Sequence, residues 1–137
     1  MGLKVQLVKD GRVIFESPLD VEDVEPDLVR RELEAMEPGL KDLSEFYDVL
    51  SNETRMRMMF EMVRTFDRRF AELMQDLDVN QKVVWDGLRQ MKDRRMVEKV
   101  VRHRRNVHYV PSRLGFASFM VCAMVRRIMD ETRTNGR

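Results

Sequence analysis

Apolar residues recur along this chain in two rhythms: a spacing near 3.6 over most of it, and strict alternation in two short β-rich stretches. Residues 4–8 and 12–16 alternate and flank Asp10-Gly11, a pair suited to a type I′ hairpin turn. Residues 19–25 read as an acidic linker. Pro26 suits the first turn of a helix over 26–36, which Pro38-Gly39 is expected to stop. A helix over 40–50 carries the stripe Leu40, Leu43, Phe46, Tyr47 and Leu50. Ser51 is placed to cap the next helix, over 52–64, whose stripe is Met56, Met59, Phe60 and Val63.

Residues 67–115 then form a unit of their own. Asp67 is placed to cap a short helix that buries Phe70, Leu73, Met74 and Leu77. Asp78-Val79 makes a turn, and Asn80 caps a second helix reaching about residue 95. Two β-branched strands, 97–101 and 107–110, are joined by the basic tip Arg104-Arg105-Asn106. From 114 to about 129 the last helix is apolar around almost its whole circumference. Such a helix is covered on more than one side. In a small chain the second cover is most simply another subunit, which makes Phe116, Phe119, Met120 and Met124 a candidate dimer interface; the amino-terminal hairpin is the alternative cover. The expected fold is mostly α with a small β-wing, a winged helix-turn-helix preceded by a β-hairpin. Its parts are residues 1–39, 40–113 and 114–137.

Composition narrows this little, and charge narrows it a great deal. A chain of 137 residues, 43% hydrophobic and 36% charged, buries one core. Its single cysteine, Cys122, makes an internal disulfide impossible and fits a reducing compartment. The first residues lack the apolar core of a signal peptide, and the longest nearly apolar run, 114–125, falls short of the roughly 20 residues of a membrane span. A cytoplasmic, nucleoid-associated protein with no membrane partner is expected. Net charge is only +1, but residues 1–53 carry 6 Lys/Arg against 14 Asp/Glu (net −8), and residues 54–137 carry 19 against 10 (net +9). A basic half of this density attracts polyanions, double-stranded DNA above all.

The residues expected to touch DNA follow from helix geometry. On the second helix Val84, Leu88 and Met91 share a buried face, so Gln81, Lys82, Trp85, Asp86, Arg89 and Lys92 point outward. Gln81 and Arg89 can donate to base edges, while Lys82 and Lys92 can reach phosphates. Asp86 is repelled by phosphate, and lies one turn from Lys82 and Arg89, which can neutralise it. Trp85 either packs on the wing or a neighbouring subunit, or contacts thymine methyl groups. Gly87 costs the helix about 1 kcal/mol relative to Ala, a sign of close packing there. Arg102, Arg104, Arg105 and Asn106 at the wing tip suit a minor groove, where the negative potential is enhanced. Arg68 and Arg69 are candidates for the phosphate backbone.

These stretches resemble the ArsR-like winged-helix regulators of bacteria and archaea over about residues 41–129. Leu50-Ser51-Asn52-Glu53-Thr54-Arg55-Met56-Arg57 is similar to that family's LSNETRLRI signature, and Ala71-Glu72-Leu73 with Val79-Asn80-Gln81 to its helix-turn-helix core. Met96-Val97-Glu98, Val107-His108-Tyr109 and Ser112-Arg113-Leu114-Gly115 resemble its wing and the exit into its last helix. The resemblance implies a homodimer joined through terminal helices and transcriptional repression. Asp78 and Arg95 stand where the family often has Gly. Its metal sensors carry paired cysteines before the recognition helix, or a His/Asp/Glu set in the last helix. Here Cys122 is alone, and His103 and His108 lie on the wing, so neither metal nor cofactor is expected. Three functions remain: a sequence-specific regulator, an architectural DNA binder of low specificity, and a winged module that binds protein. With neither a phosphate loop nor a nucleophile–base pair, an enzyme is not expected.

Overall fold

The computed structural model describes residues 2–134, and the chain divides between Ser44 and Glu45 into two compact units. In the first, strands β1 (Lys4–Lys9) and β2 (Arg12–Pro18) pair antiparallel. Asp10 and Gly11 both take left-handed backbone (φ 50° and 79°), as a type I′ turn requires. The register slips between Leu7 and Val8, leaving Ile14 as the extra residue of a bulge. Residues 19–25 contain a short 3-10 turn, Val21–Asp23. Helix α1 (Pro26–Met36) starts on its proline.

Pro38-Gly39 does not act as a left-handed stop. The chain makes a 3-10 turn over Glu37–Gly39 and enters α2 (Leu40–Leu50) directly, with Glu37 and Leu40 both right-handed. None of residues 2–44 is buried. A unit this small cannot enclose a core of its own. Instead, Phe15 and Pro18 of β2 and Leu28, Val29 and Leu33 of α1 line a shallow groove between hairpin and helix.

The second unit holds the core. Helix α3 (Glu53–Thr65) is capped by Asn52, whose side chain accepts from the Arg55 amide at 3.1 Å. Ser51, the expected cap, instead donates its hydroxyl to the Asp48 carbonyl. The buried stripe of α3 is Met58, Met59 and Met62, and Phe60 is more than half exposed. The helix ends at Phe66, in left-handed backbone. A two-residue strand β3 (Arg68–Arg69) leads into α4 (Phe70–Leu77), which stops on left-handed Asp78. The Asp78 side chain suits that conformation.

Asn80 accepts from the Val83 amide at 3.0 Å and opens α5 (Gln81–Asp93), which stops two residues short of the expected end. Arg95 there adopts φ 61°, a left-handed geometry that favours Gly. Strands β4 (Val97–Val101) and β5 (Val107–Pro111) form the wing, with β3 completing a sheet of order β3-β5-β4. Met58, Met59, Met62, Leu73, Val84, Leu88, Met91 and Met96 are buried together between these helices and the wing.

Helix α6 (Arg113–Thr134) leaves the wing through a tight junction. Ser112 Oγ donates to the Arg95 carbonyl and accepts from the Gly115 amide at 2.9 Å. The Met96 carbonyl lies so near Gly115 that a Cβ there would sit 1.9 Å from its oxygen. Only glycine permits that approach. Phe119 and Cys122 pack against the core, and burial pushes the Cys122 thiol up from its ordinary range. Phe116, Met120, Val121, Val125 and Met129 stay exposed. No helix among the described residues is long and apolar enough to cross a membrane.

Candidate nucleic-acid interface

Helix α5 buries Val84, Gly87, Leu88 and Met91 and turns its other side outward. Gly87 lets α3 approach, since a Cβ there would lie 2.8 Å from Met58 Sδ. On the open side Asp86 sits between two cations, 2.9 Å from Lys82 Nζ and 3.0 Å from an Arg89 guanidinium nitrogen. The Lys82 hydrogen bond, then the nearby charges of Lys82 and Arg89, hold the Asp86 carboxyl below its usual 3.8. Part of the positive charge expected on this face is therefore cancelled inside the helix. Gln81 and Lys92 remain exposed, and Lys92 has no carboxylate partner among the described residues.

Trp85 is 48% exposed and meets the Phe70 ring edge-on, with ring centroids 5.3 Å apart. It also walls a hollow of about 130 Å³ between α5 and the wing, lined further by Leu88, Arg89, Lys92, Lys99 and Tyr109. The roles open to Trp85 from the sequence were packing on the wing or a neighbouring subunit, or contact with thymine methyl groups; its ring contact here is with Phe70 of α4, and toward the wing it faces the hollow. Lys99 was not singled out from the sequence. It alternates with Val97 and Val101 and pairs across the sheet with Tyr109, so it stands on the side of the wing that meets α5. A lysine among apolar positions on one strand face was the available signal, because its ammonium must reach out to water.

The wing is fastened from outside itself. Asp67, expected to cap α4, has another role: it pairs with Arg102 at 3.2 Å and with His108 Nδ1. The cap position falls to Arg69, whose amide donates to Glu72 at 2.9 Å, and that bond is the main cause holding the Glu72 carboxyl below its ordinary range. Arg102 is thus engaged with the protein. Arg104 and Arg105 at the tip are exposed, have no carboxylate partner among the described residues, and both take left-handed backbone (φ 58° and 64°). The Asn106 carbonyl accepts from the Arg102 amide at 2.7 Å and closes the tip.

Arg68 does not stand out toward solvent. Its side chain is only 18% exposed and lies among Glu61, Glu72 and Asp76, at 3.9, 3.7 and 3.1 Å. A guanidinium held by three carboxylates is not free for phosphate. Arg69 is half exposed and 3.6 Å from Glu72. Among the described residues no three His, Cys, Asp or Glu side chains converge as metal ligands would.

No family model matches the chain, and no curated protein does so either. Solved structures do match. HlyU from Vibrio cholerae is 16% identical with a TM-score of 0.56, over 66% of this chain and 97% of its own. The transcriptional repressor BigR from Xylella fastidiosa is 21% identical with a TM-score of 0.55, over 66% and 94%. An ArsR-like transcriptional regulator from a Rhodococcus species is 22% identical with a TM-score of 0.52, over 69% and 86%. About two thirds of the chain therefore has the winged helix-turn-helix fold seen in ArsR-like regulators.

Proposed function

We infer that this chain is a DNA-binding transcriptional regulator that works as a homodimer and needs no metal. The observation that carries the reading is where unpaired cations lie. Of the basic residues expected to touch DNA, Lys92, Arg104 and Arg105 have no carboxylate partner among the described residues, and Lys99 joins them. They lie on the last turn of an outward-facing recognition helix and on the wing beside it, in a fold that the similar regulators share. Phosphate contacts from such groups give binding that falls steeply with salt. The test is titration of labelled random duplex and of selected genomic fragments across salt concentrations. A fragment bound about a thousandfold more tightly than random duplex supports a regulator. Equal binding to all sequences supports an architectural protein instead. The Asp86 clamp on Lys82 and Arg89 favours that second reading, because it occupies two side chains that would otherwise meet bases and phosphates. Absence of binding at low salt overturns both and leaves a protein partner for the winged fold.

Dimerisation rests on the exposed apolar surface of α6. Phe116 lies against exposed Phe66, ring centroids 5.5 Å apart, and Met120, Val121, Val125 and Met129 extend the surface along the helix. Phe119 packs on the chain's own core, so changing it tests folding and not association. Met120→Glu is the informative substitution. Sedimentation should give twice 16.4 kDa for the wild type and 16.4 kDa for the variant. A wild-type monomer overturns the dimer.

A further inference from the structure

We propose that the hollow between α5 and the wing holds an unpaired nucleobase with its flanking phosphates, so that the protein binds single-stranded or opened DNA more tightly than intact duplex. The inference rests on the DNA-binding reading above and specifies the form of DNA. The hollow of about 130 Å³ has buried Leu88 and Tyr109 as its floor and half-exposed Trp85 as a wall. That volume is close to the roughly 150 Å³ of an apolar cavity that takes up benzene, a planar ring. Burial raises the Tyr109 hydroxyl above its ordinary range.

The cations divide into two kinds. Arg89 is engaged with Asp86, whereas Lys92 and Lys99 have no carboxylate partner among the described residues and border the same hollow. An aromatic wall beside two free ammonium groups complements a nucleotide, with its π-face and its phosphate. Intact duplex matches it poorly. Bases there offer only their edges, and an indole has a single donor and no acceptor with which to read them. The faces of the bases are covered by stacked neighbours until a strand opens. An exposed indole held by Phe70 on one side is a stacking platform for an unpaired base. A single strand passing the hollow would place its phosphates near Lys92 and Lys99.

Trp85 is the only tryptophan, so the full chain carries its own reporter. Unlabelled single strands, duplex of the same sequence and thymidine monophosphate are titrated against its fluorescence at several salt concentrations. Single strands should quench the emission and bind at least about tenfold more tightly than duplex. Trp85→Ala should lower single-strand affinity about 5- to 150-fold, and Trp85→Phe should restore part of it. The double change Lys92→Ala and Lys99→Ala should reduce the salt slope on single strands by about 1.4. If duplex binds in a salt-dependent way while single strands bind no tighter and leave the emission unchanged, the hollow is not a base site and DNA binding stands. Quenching by the mononucleotide as tight as by the strand overturns the strand as occupant. If neither form of DNA binds, the underlying DNA-binding reading fails.

Discussion

Replacing Asp86 with Asn removes the negative charge that lies between Lys82 and Arg89 on the outward side of α5 and releases the two cations it holds, Lys82 at 2.9 Å and Arg89 at 3.0 Å. Because Lys82 chiefly and Arg89 in addition hold the carboxyl below 3.8, it is ionised across the neutral range, and substitution is the direct way to discharge it. The depressed value fixes the sign of its pH dependence. Any stability from this cluster is present above the unfolded carboxyl's value and is lost only as pH falls below about 3.8. At neutral pH the variant gives up that contribution, which is small for ion pairs this exposed, and otherwise alters the field toward DNA. Each released cation that finds a phosphate steepens the salt dependence by about 0.9, so two give up to about 1.8. Taking a contact to be worth nothing at 1 M salt, each one strengthens binding about eightfold at 0.1 M. Anisotropy of labelled random duplex between about 50 and 300 mM salt measures both quantities. An unchanged slope would refute the reasoning by showing that the first two turns of α5 stay away from phosphates. Weaker binding would refute it differently, by showing that Asp86 orients Arg89 or accepts a hydrogen bond from cytosine.

Four further outcomes follow from the same structure. Arg104→Ala with Arg105→Ala should weaken binding equally on every sequence and lower the salt slope by about 1.8; a loss confined to one sequence would contradict a phosphate role. Arg104→Asn with Arg105→Gly should weaken DNA binding likewise yet raise stability by about 1 kcal/mol or more, since both sites are left-handed; thermal unfolding shows this as a rise of a few degrees. Gly115→Ala should destabilise the fold by about 3 kcal/mol in urea unfolding, because its Cβ would meet the Met96 carbonyl oxygen at 1.9 Å; a loss under about 1 kcal/mol would mean that the junction yields. Deleting residues 1–38 should leave a folded winged unit that binds random duplex as tightly or more so, because residues 1–53 carry the −8 half of the charge; loss of binding with the fold intact would show that this segment supplies contacts or assembly.

Where one local interaction decides a feature, the sequence shows it. Asp10-Gly11, Asn80 and Asp78 each need only their own turn of backbone, and all three adopt the expected geometry. Asp67 is different. It has the chemistry of a cap, but Arg102 and His108 reach it from positions 35 and 41 residues away, and a pair of cationic or polar partners outcompetes a neighbouring amide. The face of α3 was ambiguous for another reason. Met56, Met58, Met59, Phe60, Met62 and Val63 surround most of the helix, so two adjacent stripes fit the same period. Tertiary packing selected Met58 and Met62 and left Phe60 out. The hollow beside Trp85 was not legible at all, since it requires Lys99 and Tyr109 of the wing to meet α5.

The wing also shows what local stability has been set aside. Six non-glycine residues among those described take positive φ: Asp10, Phe66, Asp78, Arg95, Arg104 and Arg105. The two aspartates tolerate that geometry through their short polar side chains. An arginine has no such compensation, and Gly or Asn would fit each of the three sites better. All three arginines lie in the strand-bearing end of the chain, at the entrance to β4 and at the tip beyond it. None has a carboxylate partner among the described residues, whereas Arg64, Arg68 and Arg69, on α3 and β3, are all paired. Backbone that is strained and charge that is left uncompensated therefore coincide at the wing. Folding alone explains neither, since relieving the strain and pairing the charge would each stabilise the chain. On the proposed DNA-binding function, a polyanion drawn to the wing accounts for both with one requirement: positive charge must stand at these places when the partner arrives.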